Sequence, residues 1–251
     1  MTLELLKSKT GRTLIESHRG VEDSVPENSW SAIKLGYELG ADLIEVDVQA
    51  SRDGVPFLRH NYKLPDGRWC HDVLWDELKE LKIDGEPLPR LEEVLVWGRD
   101  VGGVLSLDIK TIFSPEGNLT KEVVHLLERT NTKDNVLLLF VDHNELLQTK
   151  LTCPELTVRA LLRGRLAHYA EYLQKIGADC ASISYGMFRP IDIEQIHSLG
   201  ISVVLGELWN PDVDLFQTLE IDIFTHGNPV EARKILERQQ LHFSKGDTHG
   251  N

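Results

Sequence analysis

The chain has 251 residues, enough for one large domain or two small ones, and its 41% hydrophobic and 27% charged residues are those of a soluble globular protein. A net charge of −13 argues against nucleic acid or an anionic membrane as a partner through bulk electrostatics, yet leaves room for a small anionic substrate in a local cationic pocket. No apolar run is long enough to span a bilayer, and the opening MTLELLKSKTGRT lacks the apolar core of a secretory signal. Cys70, Cys153 and Cys180 have the spacing of neither a metal knuckle nor a disulfide framework, so free thiols, a cytoplasmic location and no membrane insertion are expected.

Taken in order, residues 13–17 read as a strand that stops at His18-Arg19-Gly20. Pro26-Glu27-Asn28-Ser29 opens a helix that Asn28 or Ser29 can cap. Ala32, Ile33, Leu35, Gly36 and Leu39 form its inner face, and Gly40 ends it. Leu43-Ile44-Glu45-Val46-Asp47-Val48-Gln49 is a strand rich in β-branched residues. Side chains two apart on a strand share a face, so Glu45 and Asp47 point the same way. Two such carboxylates repel and are costly to desolvate. Either solvent covers them on an edge strand, or a cation does, and oxygen ligands suit Mg²⁺ or Ca²⁺. A turn at Asp53-Gly54 and a short strand over 56–58 deliver His60. Residues 61–88 read as irregular and polar, with one short helix near 75–81.

From Leu91 the alternation is regular. Helices are expected over 91–97, 119–129, 144–151, 166–176, 192–199, 212–219 and 230–240, and strands over 104–109, 136–140, 157–162, 180–184, 201–205 and 222–225. Eight main strands, each followed by a helical segment, favour a single α/β domain over 1–251, a (β/α)8 TIM barrel with a small insertion at about 61–88, over an open doubly wound sheet. A tail over 241–251 is expected to be disordered. No glycine-rich nucleotide loop is present.

In such a barrel the site lies at the carboxyl ends of the strands. The first strand brings His18 and Arg19 there, the second Glu45 and Asp47 with His60 just beyond, and the third Asp108 and Lys110. Glu45, Asp47 and Asp108 would hold a divalent cation. Arg19 and Lys110 would pair with an anionic substrate, the forked guanidinium matching phosphate oxygens. His18 and His60 suit general acid and base roles, since imidazole titrates near neutrality. Together these residues point to phosphodiester cleavage.

His18-Arg19-Gly20, Pro26-Glu27-Asn28-Ser29, the run from Gly40 to Val48, Ser51-Arg52-Asp53-Gly54 and His60 resemble the signature of glycerophosphodiester phosphodiesterases. Leu105 to Lys110 and Thr225-His226-Gly227-Asn228-Pro229 fall where that family has further motifs. The resemblance implies a TIM barrel that hydrolyses small-molecule glycerophosphodiesters to glycerol 3-phosphate and an alcohol with Mg²⁺ or Ca²⁺. It carries His18 and His60 as acid and base, Glu45 and Asp47 as ligands, and Arg19 and Lys110 as phosphate contacts. It also implies that a glycerol hydroxyl attacks the phosphorus and water opens the cyclic product.

The chain departs from the family pattern at four places: Asp108 where Glu is usual, Asn61 where Asp is usual, Gly206-Glu207-Leu208-Trp209 in place of Trp-Thr-Val-Asn, and His226 in place of Asp. The venom sphingomyelinase D branch also has Asp at the third carboxylate, which keeps a lipase-D-like transfer on a lysolipid, giving a cyclic phosphate, as an alternative. A non-catalytic phosphodiester-binding barrel is another. Among single residues, Glu27 reads as a helix-start residue or one that supports the site from behind the ligands rather than as a ligand, Glu16 as orienting His18 or lying on the outer face, and His71-Asp72 as a solvated pair. Arg163, Glu207, Trp209 and His226 follow later strands as pocket candidates, and Phe188 and Trp97 read as core.

Overall fold

The computed structural model describes residues 3–111, 118–184, 187–206 and 220–246. Eleven strands occur among them: β1 (Leu14–Ser17), β2 (Leu43–Ala50), β3 (Pro56–Leu58), β4 (Lys82–Ile83), β5 (Glu86–Pro87), β6 (Val104–Ile109), β7 (Val136–Phe140), β8 (Thr157–Leu162), β9 (Cys180–Ser184), β10 (Ser202–Gly206) and β11 (Ile223–His226). Eight of them, in the order β1-β2-β6-β7-β8-β9-β10-β11, pair in parallel and close when β11 pairs with β1. This is the expected (β/α)8 barrel. Its strands read as near-continuous apolar runs because helices cover the outside; β7, Val-Leu-Leu-Leu-Phe, is buried along its whole length.

Among the described residues the α-helices are α1 (Lys7–Thr10), α2 (Trp30–Glu38), α3 (Trp75–Leu78), α4 (Leu91–Asp100), α5 (Asn118–Thr130), α6 (His143–Thr152), α7 (Tyr169–Ile176), α8 (Pro190–His197) and α9 (Pro229–Gly246). Ser29 caps α2 by accepting the Ala32 N–H, while Ala32, Ile33 and Gly36 are buried. The helix expected over 212–219 lies outside the described residues. α9 runs to Gly246, so residues 241–246, read from sequence as the start of a tail, continue the helix instead, and 247–251 lie outside the described residues. Among the described residues, no helix is long and apolar enough to cross a membrane.

The amino end of the barrel is closed by an apolar cluster of Leu43, Leu137, Cys180, Val204 and Ile223 with Leu5. Sequence reading assigned no element to the first twelve residues, yet the segment is tied down. The Leu3 N–H donates to Thr157 Oγ1 at 2.9 Å and the Lys7 N–H to Asp222 Oδ1 at 2.5 Å. Further along the barrel the filling turns polar. Arg159 on β8 and Glu16 on β1, strands half a barrel apart, are buried and joined at 2.8 Å.

The insertion is more ordered than its polar sequence suggests. β3 runs antiparallel to β2, β4 and β5 make a hairpin, and α3 lies beside them. Phe57, Leu64, Cys70, Val73, Leu78 and Leu88 form a small core of their own.

Candidate active site

β1 ends in a turn that needs unusual backbone. Arg19 sits at φ 52° and Gly20 at φ 82°. A Cβ on Gly20 would stand 2.5 Å from Ala32 on α2, so only glycine fits. The turn aims the Arg19 backbone N–H at Glu45 Oε2, 3.0 Å away, and the His18 ring at the barrel mouth. His18 Nδ1 lies 2.9 Å from Glu22 Oε1, and its Nε2 lies 3.9 Å from Glu45 Oε2.

Parallel register between β2 and β6 sets Asp47 opposite Asp108 and Glu45 opposite Ser106. All three carboxylates are buried. Glu45, Asp47 and Asp108 each offer an oxygen within 4.8 Å of the others. Lys110 Nζ reaches Asp47 Oδ1 at 2.6 Å and also pairs with Asp108 Oδ2. Arg19 joins Asp47 through Nε at 3.3 Å and Glu27 through a terminal nitrogen at 2.7 Å. The sequence reading offered Asn28 as a helix cap. The structure instead places it, at φ 56°, against Asp47: its Nδ2 donates to Asp47 Oδ2 at 2.7 Å, and its Oδ1 accepts the Asp47 N–H at 2.8 Å. The one sequence signal for this role is an asparagine, the residue that tolerates left-handed backbone, directly before a capping serine.

His60 follows β3 across the mouth. Gln49, two residues past Asp47 on β2, holds that turn. Its Nε2 donates to the carbonyls of Arg59 at 2.7 Å and Asn61 at 2.9 Å. The cleft at the carboxyl ends of the strands is lined by all seven predicted residues, His18, Arg19, Glu45, Asp47, His60, Asp108 and Lys110. Leu139, Leu161 and Arg163 line the far wall. His226 does not line it. Its Nδ1 accepts the Asn228 backbone N–H at 2.9 Å, which locks the ring into the turn before α9. Glu207 and Trp209 lie outside the described residues. Glu16 neither orients His18 nor lies outside: it points into the barrel toward Arg159.

The charges are unevenly met. Burial pushes the Asp47 carboxyl up, but Lys110 and Arg19 outweigh it and hold Asp47 below the ordinary range. Burial lifts Glu45 to about 8, helped by the charge of Asp47. Burial lifts Asp108 as well, against the pull of Lys110. Burial resists charging the His18 ring, yet Glu22 and Glu45 more than offset it and raise the ring to about 9. Burial lowers His60, only partly countered by Asp47. Asp108 Oδ1 is buried with no hydrogen-bond partner among the described residues. A lone buried carboxylate oxygen beside two crowded acids is chemistry that suits a hard divalent cation.

The profile of the glycerophosphoryl diester phosphodiesterase family matches residues 18–221. The chain belongs to that family. Membership makes it a phosphoric diester hydrolase with a small-molecule substrate. The chain is 28% identical over 239 residues to the uncharacterized protein YqiK of Bacillus subtilis (strain 168), covering 90% of this chain and 91% of the relative. A glycerophosphodiester phosphodiesterase of Caldanaerobacter subterraneus subsp. tengcongensis is 29% identical over 162 residues, 60% of this chain and 67% of its own. The barrel also superposes, with a TM-score of 0.80 at 20% identity, on an Oleispira antarctica phosphodiesterase in complex with the product sn-glycerol-3-phosphate, covering 92% of this chain and 99% of that one. At that identity the likeness is one of fold.

Proposed function

We propose that the chain hydrolyses glycerophosphodiesters to glycerol 3-phosphate and an alcohol, with a divalent cation, Mg²⁺ or Ca²⁺, and two histidines as acid and base. The observation that carries this reading is the buried triangle of Glu45, Asp47 and Asp108, flanked in one cleft by His18 and His60. Glu45, Asp47 and Asp108 would hold the cation, which when bound supplies positive charge to the phosphoryl oxygens. Arg19 and Lys110 complete the cationic lining and orient the diester.

The two rings differ in the sense the chemistry needs. His18, raised to about 9, carries a proton at neutral pH and gives it to the departing alcohol oxygen. His60, lowered, is neutral and takes the proton of the attacking hydroxyl. With the glycerol hydroxyl as nucleophile, already held beside the phosphorus, attack is intramolecular. In the second half His18 takes a proton from water and His60 returns its own to the ring oxygen, so both regain their starting states.

The test is coupled glycerol 3-phosphate release from a panel of glycerophosphodiesters with Mg²⁺, with Ca²⁺ and with chelator, using protein freed of phosphatases. Metal-dependent release that is lost in Asp108→Ala and in His18→Ala supports the reading. Release from none of the panel overturns it. ³¹P spectra in which a cyclic phosphate persists as the end product would turn the assignment to the transfer reaction.

A further inference from the structure

We propose that Glu22 is the positioning residue for His18: its carboxylate holds Nδ1–H and thereby presents Nε2 to the substrate. The inference deepens the reading of His18 as the proton donor and rests on it.

The geometry is specific. Glu22 lies in the loop between Gly20 and α2, outside every motif that carries the family resemblance. Its Oε1 sits 2.9 Å from His18 Nδ1, and the other ring nitrogen faces Glu45 in the cleft at 3.9 Å. A carboxylate accepts and never donates when ionised, so the nitrogen it touches must carry the hydrogen. That fixes both the ring's rotation and which nitrogen is free for exchange with substrate. Arg19, 4.0 Å from Glu22 Oε2, helps keep the acid charged. The Glu22 carboxyl lies below its ordinary value, because its bond to His18 and the charges of His18 and Arg19 outweigh burial.

A second observation comes from β11, the strand paired with β1. Gly227 follows β11, and a Cβ there would stand 3.0 Å from Glu22 Oε1, 3.1 Å from Glu22 Cγ and 3.1 Å from Asp23 Oδ1. The missing side chain leaves the room in which Glu22 reaches His18. Gly227 has no positive φ, so space and not backbone freedom is the need. Glu22 is thus wedged between the ring it serves and a glycine 205 residues on along the chain.

An anchoring role for the loop alone would have the same contacts, and the leaving group separates the two. An alkyl alcohol needs a proton to depart, whereas p-nitrophenol does not. Wild type, Glu22→Ala, Glu22→Gln, Gly227→Ala and Glu22→Ala/Gly227→Ala would be assayed on glycerophosphocholine and on the p-nitrophenyl ester of glycerol phosphate, with melting curves for each. Read as single-turnover release of the leaving group, before His18 is needed as base for the cyclic product, the rate with Glu22→Ala should fall about 100-fold on the alkyl diester, with KM within about threefold, and by less than about threefold on the aryl diester. Glu22→Gln, whose amide oxygen still accepts, should recover most of the loss. Gly227→Ala should lower that single-turnover rate on the alkyl diester alone, and the double variant should fall no lower than Glu22→Ala. If Glu22→Ala does not fold, Gly227→Ala, which removes no ionic group, carries the same expectation. Equal losses on both substrates, no loss on either, or additive losses in the double variant overturn the proposal. A wild type inactive on both overturns the hydrolase mechanism and this proposal with it, whereas an active wild type with an unaffected Glu22→Ala overturns this proposal alone.

Discussion

Removing Arg159 alone should be among the most destabilising single changes in the barrel, and removing Glu16 with it should undo most of the damage. Glu16 is fully buried, and both its oxygens lie 2.8 Å from the same Arg159 nitrogen, with Thr225 Oγ1 donating at 2.6 Å. Arg159 also donates to Ser182 Oγ at 3.1 Å and Ser106 Oγ at 3.4 Å. Arg159→Met leaves a carboxylate buried with one hydroxyl for company, a loss of about 3–5 kcal/mol. Glu16→Leu strands the guanidinium and should cost a similar amount. In Glu16→Leu/Arg159→Met no charge remains. Apolar contact replaces the pair, and the three hydroxyls left without a charged partner hold the double variant to within about 2 kcal/mol of wild type. A 251-residue chain melts with an entropy of about 0.5 kcal/mol/K, so each single variant should lose about 6–10 °C in Tm. Thermal melts and urea titrations of the four proteins complete the cycle. Either single variant within about 1 kcal/mol of wild type would refute the reasoning, as would a double variant that loses as much as both singles combined.

Three further outcomes follow from other parts of the structure. Gly20→Ala combines a φ of 82° with a Cβ 2.5 Å from Ala32, and should lose about 2–4 kcal/mol in denaturant titration; a loss under about 1 kcal/mol would mean that the turn after β1 relaxes freely. Asn28→Gly keeps the left-handed backbone easy and removes only the clamp on Asp47, so the cation concentration for half-maximal turnover should rise about 10–100-fold; an unchanged value would show that Asp47 needs no clamp. His197 is raised by its bond to Asp222, 2.7 Å away, so its contribution of about 1 kcal/mol should be complete below the ordinary imidazole pKa near 6.5 and fade as pH rises through the raised value. The stability gap between wild type and His197→Gln should therefore be larger at pH 6 than at pH 9, and a gap that grows with pH would contradict the assignment.

What could be read from sequence was what period and order reveal. Glu45 and Asp47 stood out because a two-residue period puts them on one face of a β-branched run, and the same period linked Asp108 with Lys110. Eight alternations gave the barrel, and the barrel gave the rim. What escaped depends on partners distant in sequence or on competing local signals. Glu16 shares the His18 face of its strand, but its role as an interior ion requires Arg159, 143 residues later. Asn28 carries a cap signal that Ser29 satisfies, so its bond to Asp47 is invisible without the β2 register. The insertion's core draws on Phe57, Leu64, Cys70, Val73, Leu78 and Leu88, whose spacing follows neither the strand nor the helix period. His226 sat at a strand end like the residues that line the cleft, yet a backbone bond two residues on turned it away.

The distribution of charge argues where a cation adds most. Asp47 is served by the ammonium of Lys110, the guanidinium of Arg19 and the amide of Asn28. Asp108 has Lys110 on one oxygen and nothing among the described residues on the other. Glu45 has a backbone N–H from Arg19 and a histidine 3.9 Å away. Compensation thus falls from Asp47 to Asp108 and Glu45, and their carboxyl shifts follow: Asp47 lowered, Asp108 and Glu45 raised. A structural network would be expected to close on itself, with each buried acid matched to a base. This one matches the middle acid twice and leaves the two flanking acids short. A divalent ion placed among them would meet that shortfall, whereas another lysine or arginine would have to displace contacts already made. The same asymmetry gives Asp47 a different task from its neighbours. It is the fixed member that holds Arg19 and Lys110 in place, while Glu45 and Asp108 have oxygen capacity to spare.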